Sequence, residues 1–430
     1  MSKKIYLIVL VFFFLLTAPI GIVYSEGPEG PVAAALKPLI EEALKNNPEV
    51  QSAYNLWQAA VYKIREVGGL PDPRAGYGYY GENIETRVGP MKQKYDISQK
   101  IPFPGKLSAK ARAQAKRAEA LQQGYEAVKR EVIKNVKFTF YDIFWTDKAI
   151  QINEEEKFVL ESLEKVAQRR YAANLAPQQD VIKAQVEITK LINRLYLLRR
   201  NRKSLAAKLN TILNRPVTTA VDKNLDIGES SFGYGLDELH KIAQTSRQEL
   251  LAANLDTERA EYEKSLARLD YFPDFTFGFD YIQVGSGHTT MPNDGQDAWL
   301  GKVAINVPIW FDRLGAKLKE KKARLAASRS HYQNIENSIS YEVEDVYYKI
   351  TTYKDIVSLY RTALIPQAEQ SFEAAKIGYE TGSVDFLNWL DAERVLLQTR
   401  LAYYRSVVDY QKSIAYLERV VGEDIEVGTN

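Results

Sequence analysis

Phe272-Pro273-Asp274-Phe275 repeats, about 200 residues later in the chain, the earlier segment Leu70-Pro71-Asp72-Pro73. Each copy follows a helical pattern and precedes an alternating aromatic segment, a very long helical pattern, a short break and a second helical pattern. A further pair of matching segments, 171–185 and 379–393, lies at the two breaks. A duplicated unit of this size predicts one architecture built from two similar halves, so functional residues are sought in pairs.

Composition excludes several classes of protein. The chain has 57 Lys and Arg against 55 Asp and Glu, so it lacks the basic field that attracts nucleic acid. It contains no cysteine, which removes disulfides, thiolate metal ligands and cysteine nucleophiles. Its three histidines, His240, His288 and His331, lie in separate segments. We therefore expect no metal site, no cofactor and no enzymatic activity.

The first 25 residues have the pattern of a cleaved signal peptide. Lys3 and Lys4 precede an apolar run over 5–16, and Val23-Tyr24-Ser25 offers a cleavage site with the mature chain beginning near Glu26. The alternative is a retained membrane anchor, because the apolar stretch up to Val23 is almost long enough to span a bilayer. No later segment is apolar over the length that a membrane helix needs.

Two pairs of segments predict β-hairpins with one strongly apolar face. Aromatic residues fall at every second position of the first strand in the second half, at Phe275, Phe277, Phe279 and Tyr281. The other predicted strands place on their apolar faces Tyr77, Tyr79, Tyr95, Ile97, Trp299, Val303 and Ile305. Each strand has about ten residues, the length that a tilted strand needs to cross a bilayer.

Two hairpins cannot form a closed barrel alone. A bilayer tolerates no open sheet edge, because unpaired backbone groups find no water there. Four membrane strands per chain therefore imply that several chains share one barrel. The alternative is a soluble domain whose hairpins pack one face against a core. The export signal and the aromatic residues near the strand ends favour the membrane interpretation.

Most of the remaining chain predicts exceptionally long helices. Residues 107–173 contain no proline and only Gly124, which corresponds to a helix of about 100 Å. Apolar residues recur at spacings of four and three, as in coiled coils, and Pro366 predicts a bend or pause in the second long helix. The predicted organisation is a signal peptide (1–25), a first repeat (26–213; helix, hairpin 74–101, helices 107–173 and 177–213), a linker (214–235), a second repeat (236–421; helix, hairpin 274–309, helices 314–378 and 384–420) and a tail (422–430).

The two breaks predict the tips of helical hairpins. In the first, Pro177 suits the first turn of the returning helix. In the second, Gly382 suits a helix C-cap, and Ser383 or Asp385 suits the next N-cap.

The duplicated order, the signal peptide, the segment Phe103-Pro104-Gly105-Lys106 after the second strand and the paired tips resemble the TolC family of outer-membrane efflux proteins. The resemblance covers the mature chain. It implies a mainly α fold with a membrane β part: a homotrimer whose long antiparallel helices form a periplasmic α-barrel and whose strands form one twelve-stranded outer-membrane β-barrel. It implies three kinds of partner: outer-membrane lipid, a periplasmic adaptor protein, and an inner-membrane RND or ABC transporter.

The resemblance also assigns site residues. Tyr379 and Asp180 match a hydrogen-bonded gate latch, and Asp391 matches an acidic ring at the pore constriction. Asn388 stands where a second acidic residue is expected and Val384 where a latch arginine is expected, which implies a single ring and a weaker latch. The tip residues that would dock the adaptor are Asn174, Leu175, Ala176, Thr381, Gly382 and Ser383. Two alternatives remain: Tyr379 as an ordinary core tyrosine, and Asp391 as a solvated helix charge.

The function implied is a passive exit duct in the outer membrane of a Gram-negative-type cell. Without a cysteine after the signal peptide, the protein would be held by its strands alone. Segment 103–106 resembles members that accompany heavy-metal pumps, which favours cation efflux over drug efflux. Type I protein secretion would use the same duct. An envelope coiled-coil scaffold or adhesin without a pore is the alternative from another class. The predicted extracellular loops are 85–90 and 285–297.

Overall fold

The computed structural model describes residues 31–222, 227, 230–287, 292–425 and 428–429. The predicted signal peptide and part of the predicted extracellular loop 285–297, including His288, lie outside these ranges. The helices are α1 (Pro31–Asn46), α2 (Pro48–Gly68), α3 (Lys106–Ala172), α4 (Gln178–Ile212), α5 (Leu236–Ser246), α6 (Gln248–Leu269), α7 (Phe311–Leu359), α8 (Ile365–Thr381) and α9 (Phe386–Val421). The strands are β1 (Arg74–Thr86), β2 (Gly89–Ile101), β3 (Ser230–Ser231), β4 (Phe275–Val284), β5 (Ala298–Ile305) and β6 (Gly428–Thr429).

Within the described residues, two helices precede each hairpin, where the sequence predicted one. Asn47 separates α1 from α2: its side-chain oxygen accepts the backbone N–H of Glu49, and its amide donates to the carbonyl of Ile212. The following Pro48 disfavours a helical conformation at Asn47, which explains the break. In the second half, Arg247 has an extended backbone conformation and separates α5 from α6.

The four long strands form one antiparallel sheet in the order β1-β2-β4-β5. Its centre joins the two repeats, because β2 of the first pairs with β4 of the second. Strand β5 ends at Ile305, four residues before the predicted boundary at 309. Pro308 has no N–H to donate to a ladder, and the N–H of Ile309 bonds locally to Val307.

The long helices dominate the molecule. Helix α3 has 67 residues and spans about 100 Å. In the second half, α7 begins at Phe311 and α8 ends at Thr381, so the helical stretch is longer than the predicted 314–378. A π-helical turn, Tyr360–Leu364, joins them, and the Ile365 N–H donates to the carbonyl of Tyr360. This wide turn precedes Pro366 and lets the helix continue through a residue that cannot donate.

Among the described residues, three apolar clusters lie along the helices, and α9 contributes to all of them. One is built mainly from α1, α3 and α4, and another from α5, α7 and α9. The third, which we call the tip cluster, joins the ends of α3, α4, α8 and α9. Away from them, β3 in the linker pairs with β6 in the tail. None of the helices in the described ranges combines the length and apolar content needed to cross a membrane.

Candidate functional sites at the helical tip and the sheet

The second tip turn is tightly constrained. Gly382 ends α8 in the left-handed region with φ +84°, and the Asp385 carboxylate accepts the backbone N–H of Asn388 at 2.8 Å to cap α9. A Cβ at Gly378 would lie 2.4 Å from Cγ2 of Val384. The turn therefore needs a glycine at 378 for space and one at 382 for conformation.

The first tip turn is more open. Asn174 has φ +58°, and Pro177 occupies the N-cap position of α4 and not its first turn. The residues predicted to contact an adaptor lie at these two turns, and all except the half-buried Ala176 are exposed: Asn174, Leu175, Ala176, Thr381, Gly382 and Ser383.

The structure brings Tyr379 and Asp180 together. The Tyr379 hydroxyl on α8 lies 3.4 Å from Oδ2 of Asp180 in the first turn of α4, a long hydrogen bond. The Tyr379 ring packs against Phe386 and Trp389, and only 3% of the residue is exposed. Burial and the Asp180 carboxylate raise the pKa of Tyr379 to about 12. Burial likewise raises the pKa of Asp180, although the hydrogen bond from Tyr379 opposes this shift.

Arg170 completes this group and was missed by the sequence reasoning. Its Nη1 donates to the carbonyl of Tyr379 at 2.6 Å and to that of Glu380 at 3.1 Å, and its guanidinium lies 4.9 Å from the Tyr379 ring centre. Val384 stands where the resemblance implies a latch arginine, and the structure instead brings Arg170 of α3 against Tyr379. The available signal was the basic pair Arg169-Arg170 in the last turn of α3.

Asp391 and Asn388 lie on the exposed side of α9, whereas Tyr379 is buried in the tip cluster. Both are exposed on α9, three residues apart and therefore on one helix face. The buried face of the same helix carries Trp389 and Leu390, which belong to the tip cluster. Any ring of Asp391 side chains needs further copies of the chain.

A buried carboxyl pair lies deeper in the tip and was also missed. Glu156 on α3 and Glu393 on α9 are 6% and 2% exposed, and the two carboxyls hydrogen bond to each other. Burial and the hydrogen bond to Glu156 raise the pKa of Glu393 to about 10, and burial also raises that of Glu156. The pair therefore holds a proton near neutral pH. Among the described residues, no cluster of three or more His, Asp or Glu is arranged for a metal ion.

The sheet presents one continuous apolar face. Residues directly opposite each other in an antiparallel sheet point to the same side. The register aligns Tyr77, Tyr95, Tyr281 and Trp299 in one row across all four strands. The predicted residues Tyr79, Ile97, Phe275, Phe277, Phe279, Val303 and Ile305 lie on this same face by the two-residue alternation. Most of them are exposed in the single chain.

The opposite face is polar. Asp280 in the central strand β4 receives an ion pair from Lys94 of β2 at 2.9 Å and another from Lys302 of β5 at 2.6 Å. The sheet thus separates an apolar side from a charged side, which is the pattern of a strand layer between lipid and water.

Comparison with known proteins agrees with this geometry. The family model for outer membrane efflux proteins matches residues 39–215 and 239–423, one segment per repeat. The chain belongs to the outer membrane efflux protein family. This efflux protein is 24% identical over 342 residues to the cobalt-zinc-cadmium resistance protein CzcC of Cupriavidus metallidurans, with 79% of each chain covered. It is 21% identical to the solvent efflux pump outer membrane protein SrpC of Pseudomonas putida, over 92% of this chain and 87% of that one.

The fold of the efflux protein matches solved structures. The outer membrane protein VceC of Vibrio cholerae superposes with a TM-score of 0.77 at 18% identity, covering 91% of this chain and 97% of that one. The prediction of a mainly helical chain with a four-stranded part is therefore confirmed, as is that of an outer-membrane efflux function.

Proposed function

We propose that this protein is the exit duct of a tripartite efflux system and acts as a homotrimer in the outer membrane. The observation that carries this proposal is the exposed aromatic row Tyr77, Tyr95, Tyr281 and Trp299 on a sheet whose reverse face is charged. An apolar outer face against lipid and a polar inner face against water is what a membrane strand layer requires.

The free sheet edges support the trimer. Within the described part of the chain, β1 and β5 each have only one strand neighbour. A lipid environment would leave their outer backbone groups unpaired, unless copies of the chain pair edge to edge. Three copies would contribute about twelve strands, enough to close a barrel with an aqueous interior.

The tip supplies the gate of the proposed duct. Arg170, Tyr379 and Asp180 connect the ends of α3, α8 and α4 with a few polar contacts over an aromatic cluster. The Tyr379–Asp180 hydrogen bond is long and so costs little to break. The exposed turns at 174–176 and 381–383 would dock a periplasmic adaptor, which couples the duct to an inner-membrane RND or ABC transporter. Asp391 would line the pore constriction.

For cargo, we propose small molecules or metal cations and not polypeptides. CzcC is named for resistance to cobalt, zinc and cadmium and SrpC for solvent efflux, and both align over most of this chain. Three copies of the exposed Asp391 near one axis would favour cations.

Single-channel conductance in planar bilayers tests the duct. The purified trimer should give small currents, and Tyr379→Phe combined with Asp180→Ala should raise the open probability severalfold. Tyr196→Phe is the matched control, because Tyr196 is an exposed tyrosine on α4 that lies outside the latch.

In the same recordings, Asp391→Ala should lower cation selectivity, whereas Asp355→Ala on α7 should not. A folded trimer that gives no current in any variant would favour a scaffold without a pore.

A further inference from the structure

A buried joint ties the two repeats together at one end of the sheet. Lys106, at the start of α3, places Nζ 2.7 Å from Oδ1 of Asp274 and 2.9 Å from the carbonyl of Phe272. The backbone N–H of Phe103 donates to the same Asp274 oxygen at 3.0 Å, and the rings of Phe103 and Phe272 stack with centres 4.6 Å apart.

The segment Phe103-Pro104-Gly105-Lys106 is shaped for this joint. Gly105 has φ +94°, a left-handed conformation that other residues rarely adopt. This turn directs Lys106 inward, where only 6% of the residue is exposed. A buried ammonium needs a carboxylate partner, and Asp274 provides it from the residue before β4. The end of β2 is thereby fixed to the beginning of β4.

The sequence repeat supplies a second copy of both halves of this joint. Pro71-Asp72 before β1 corresponds to Pro273-Asp274 before β4. After β5, Arg313-Leu314-Gly315-Ala316-Lys317 corresponds to Lys106-Leu107-Ser108-Ala109-Lys110 after β2. The connection from Pro308 to Arg313 is one residue longer than that from Pro102 to Lys106.

In the single chain these counterparts cannot meet, because they lie at opposite edges of the sheet. Asp72 and Arg313 are both exposed, and neither forms a hydrogen bond or ion pair with any described residue. At the Lys106–Asp274 joint, the rings of Phe103 and Phe272 stack on each other. The corresponding apolar side chains near Asp72 and Arg313 are exposed. On the β5 side, Trp310 is 68% exposed beside a cleft of about 680 Å³ lined by residues 309–313. On the β1 side, Leu70 takes the position of Phe272.

We propose that Arg313 pairs with Asp72 of the partner subunit, closing the trimer with a second version of the Lys106–Asp274 joint. The strand directions fit, because the end of β2 lies beside the start of β4 and the end of β5 would lie beside the start of the partner's β1 in the same antiparallel sense. Leu70 of the partner subunit would fill the cleft beside Trp310. This inference rests on the homotrimer of the proposed function.

Cysteine cross-linking tests the contact in a chain that has no native cysteine. Asp72→Cys combined with Arg313→Cys, treated in outer membranes with a short bismaleimide, should give covalent dimers and trimers on denaturing gels. Each single-cysteine variant should remain monomeric on the same gels. Asp72→Cys with Lys354→Cys is the matched control, because Lys354 is exposed in α7 far along the chain from the strand end.

Charge reversal tests whether the pair contributes energy. Asp72→Arg and Arg313→Asp should each lower the temperature at which the detergent-solubilised trimer dissociates by several degrees, and the double variant should recover most of this loss. The inference would be overturned if the wild-type trimer is stable but the double-cysteine variant does not cross-link and the double charge reversal does not recover stability. That result would leave the proposed duct intact. A wild-type protein that is monomeric in mild detergent would overturn the proposed function as well.

Discussion

The tip and the sheet of this efflux protein differ in whether their residues find contact partners within the same chain. At the tip, Tyr379 is 3% exposed and finds its ring, carboxylate and guanidinium partners within the same polypeptide. In the sheet, Trp299 is 72% exposed and both edge strands lack an outer neighbour among the described residues. The tip contacts are thus complete within one chain, whereas under the proposed function the sheet requires lipid and further copies of the chain to cover its exposed face and edges.

Backbone hydrogen bonding explains the difference. A helix pairs its N–H and C=O groups within itself, so helical hairpins can pack against each other in one chain. A strand pairs its groups only with other strands, and an edge exposed to lipid is costly. Substitutions in the sheet should therefore affect trimer assembly, whereas substitutions at the tip should affect local packing within one chain.

The largest effect is expected on the apolar face of the sheet. Phe279→Arg places a charge near the middle of β4 on the proposed lipid side, which costs roughly 2–4 kcal/mol in each chain. We expect loss of trimers from outer-membrane fractions, measured by native gels. Leu300→Arg is the matched control, because Leu300 is a large exposed residue opposite Asp280 on the polar face. Equal loss in both variants would contradict the assignment of faces.

A smaller effect is expected in the tip turn. Gly378→Ala adds a Cβ 2.4 Å from Val384, and overpacking of this kind costs about 1–3 kcal/mol. Trypsin cleavage after Lys376 should become faster while the trimer persists. The control is Gly124→Ala in α3, where a Cβ meets no atom within 4 Å and the change should be neutral or stabilising by up to about 1 kcal/mol. An unchanged cleavage rate in Gly378→Ala would show that the turn adapts.

The most subtle effect concerns the Glu156–Glu393 pair. An acid whose pKa is higher in the folded state stabilises the fold below its unfolded pKa, and this contribution is lost as pH rises toward the folded value. For Glu393 the window runs from 4.5 to about 10. Stability of the wild type should therefore fall as pH rises through this range.

Glu393→Gln should flatten that dependence, because an amide keeps a hydrogen-bond donor beside Glu156 without a titrating proton. The measurement is the thermal unfolding midpoint in detergent at several pH values. Glu373→Gln, at an exposed site on α8, is the control and should leave the slope unchanged. A wild-type midpoint that does not fall with rising pH would show that the pair holds no shared proton.

Local sequence patterns predicted the elements well where periodicity was strong. The alternation through Phe275, Phe277 and Phe279 located a strand, and the proline-free run around Gly124 located the longest helix. Prediction was weaker where one residue ended an element. Asn47 splits a helical run, and β5 ends before Pro308, because a cap or a missing donor acts at a single position.

The site was only partly predictable. Tyr379 and Asp180 came from a resemblance at the breaks, and the structure places them in contact. The Glu156–Glu393 pair had no sequence signature, since each is an ordinary charged residue on a charged helix. The only signal for Arg170 was its place in the basic pair that ends α3. The raised pKa of Glu393 and the hydrogen bonds of Arg170 arise only when the folded chain buries these side chains against their partners.

The sequence by itself determined the duplicated order of elements, the apolar face of each strand and the length of the helices, because periodicity and turn residues act between near neighbours. Only the tertiary structure decided which distant groups meet. Arg170 contacts the backbone of Tyr379 across 209 positions, and Lys106 reaches Asp274 across 168. Such contacts depend on how long helices and strands pack against each other, and that geometry is set by the whole chain and not by any local pattern.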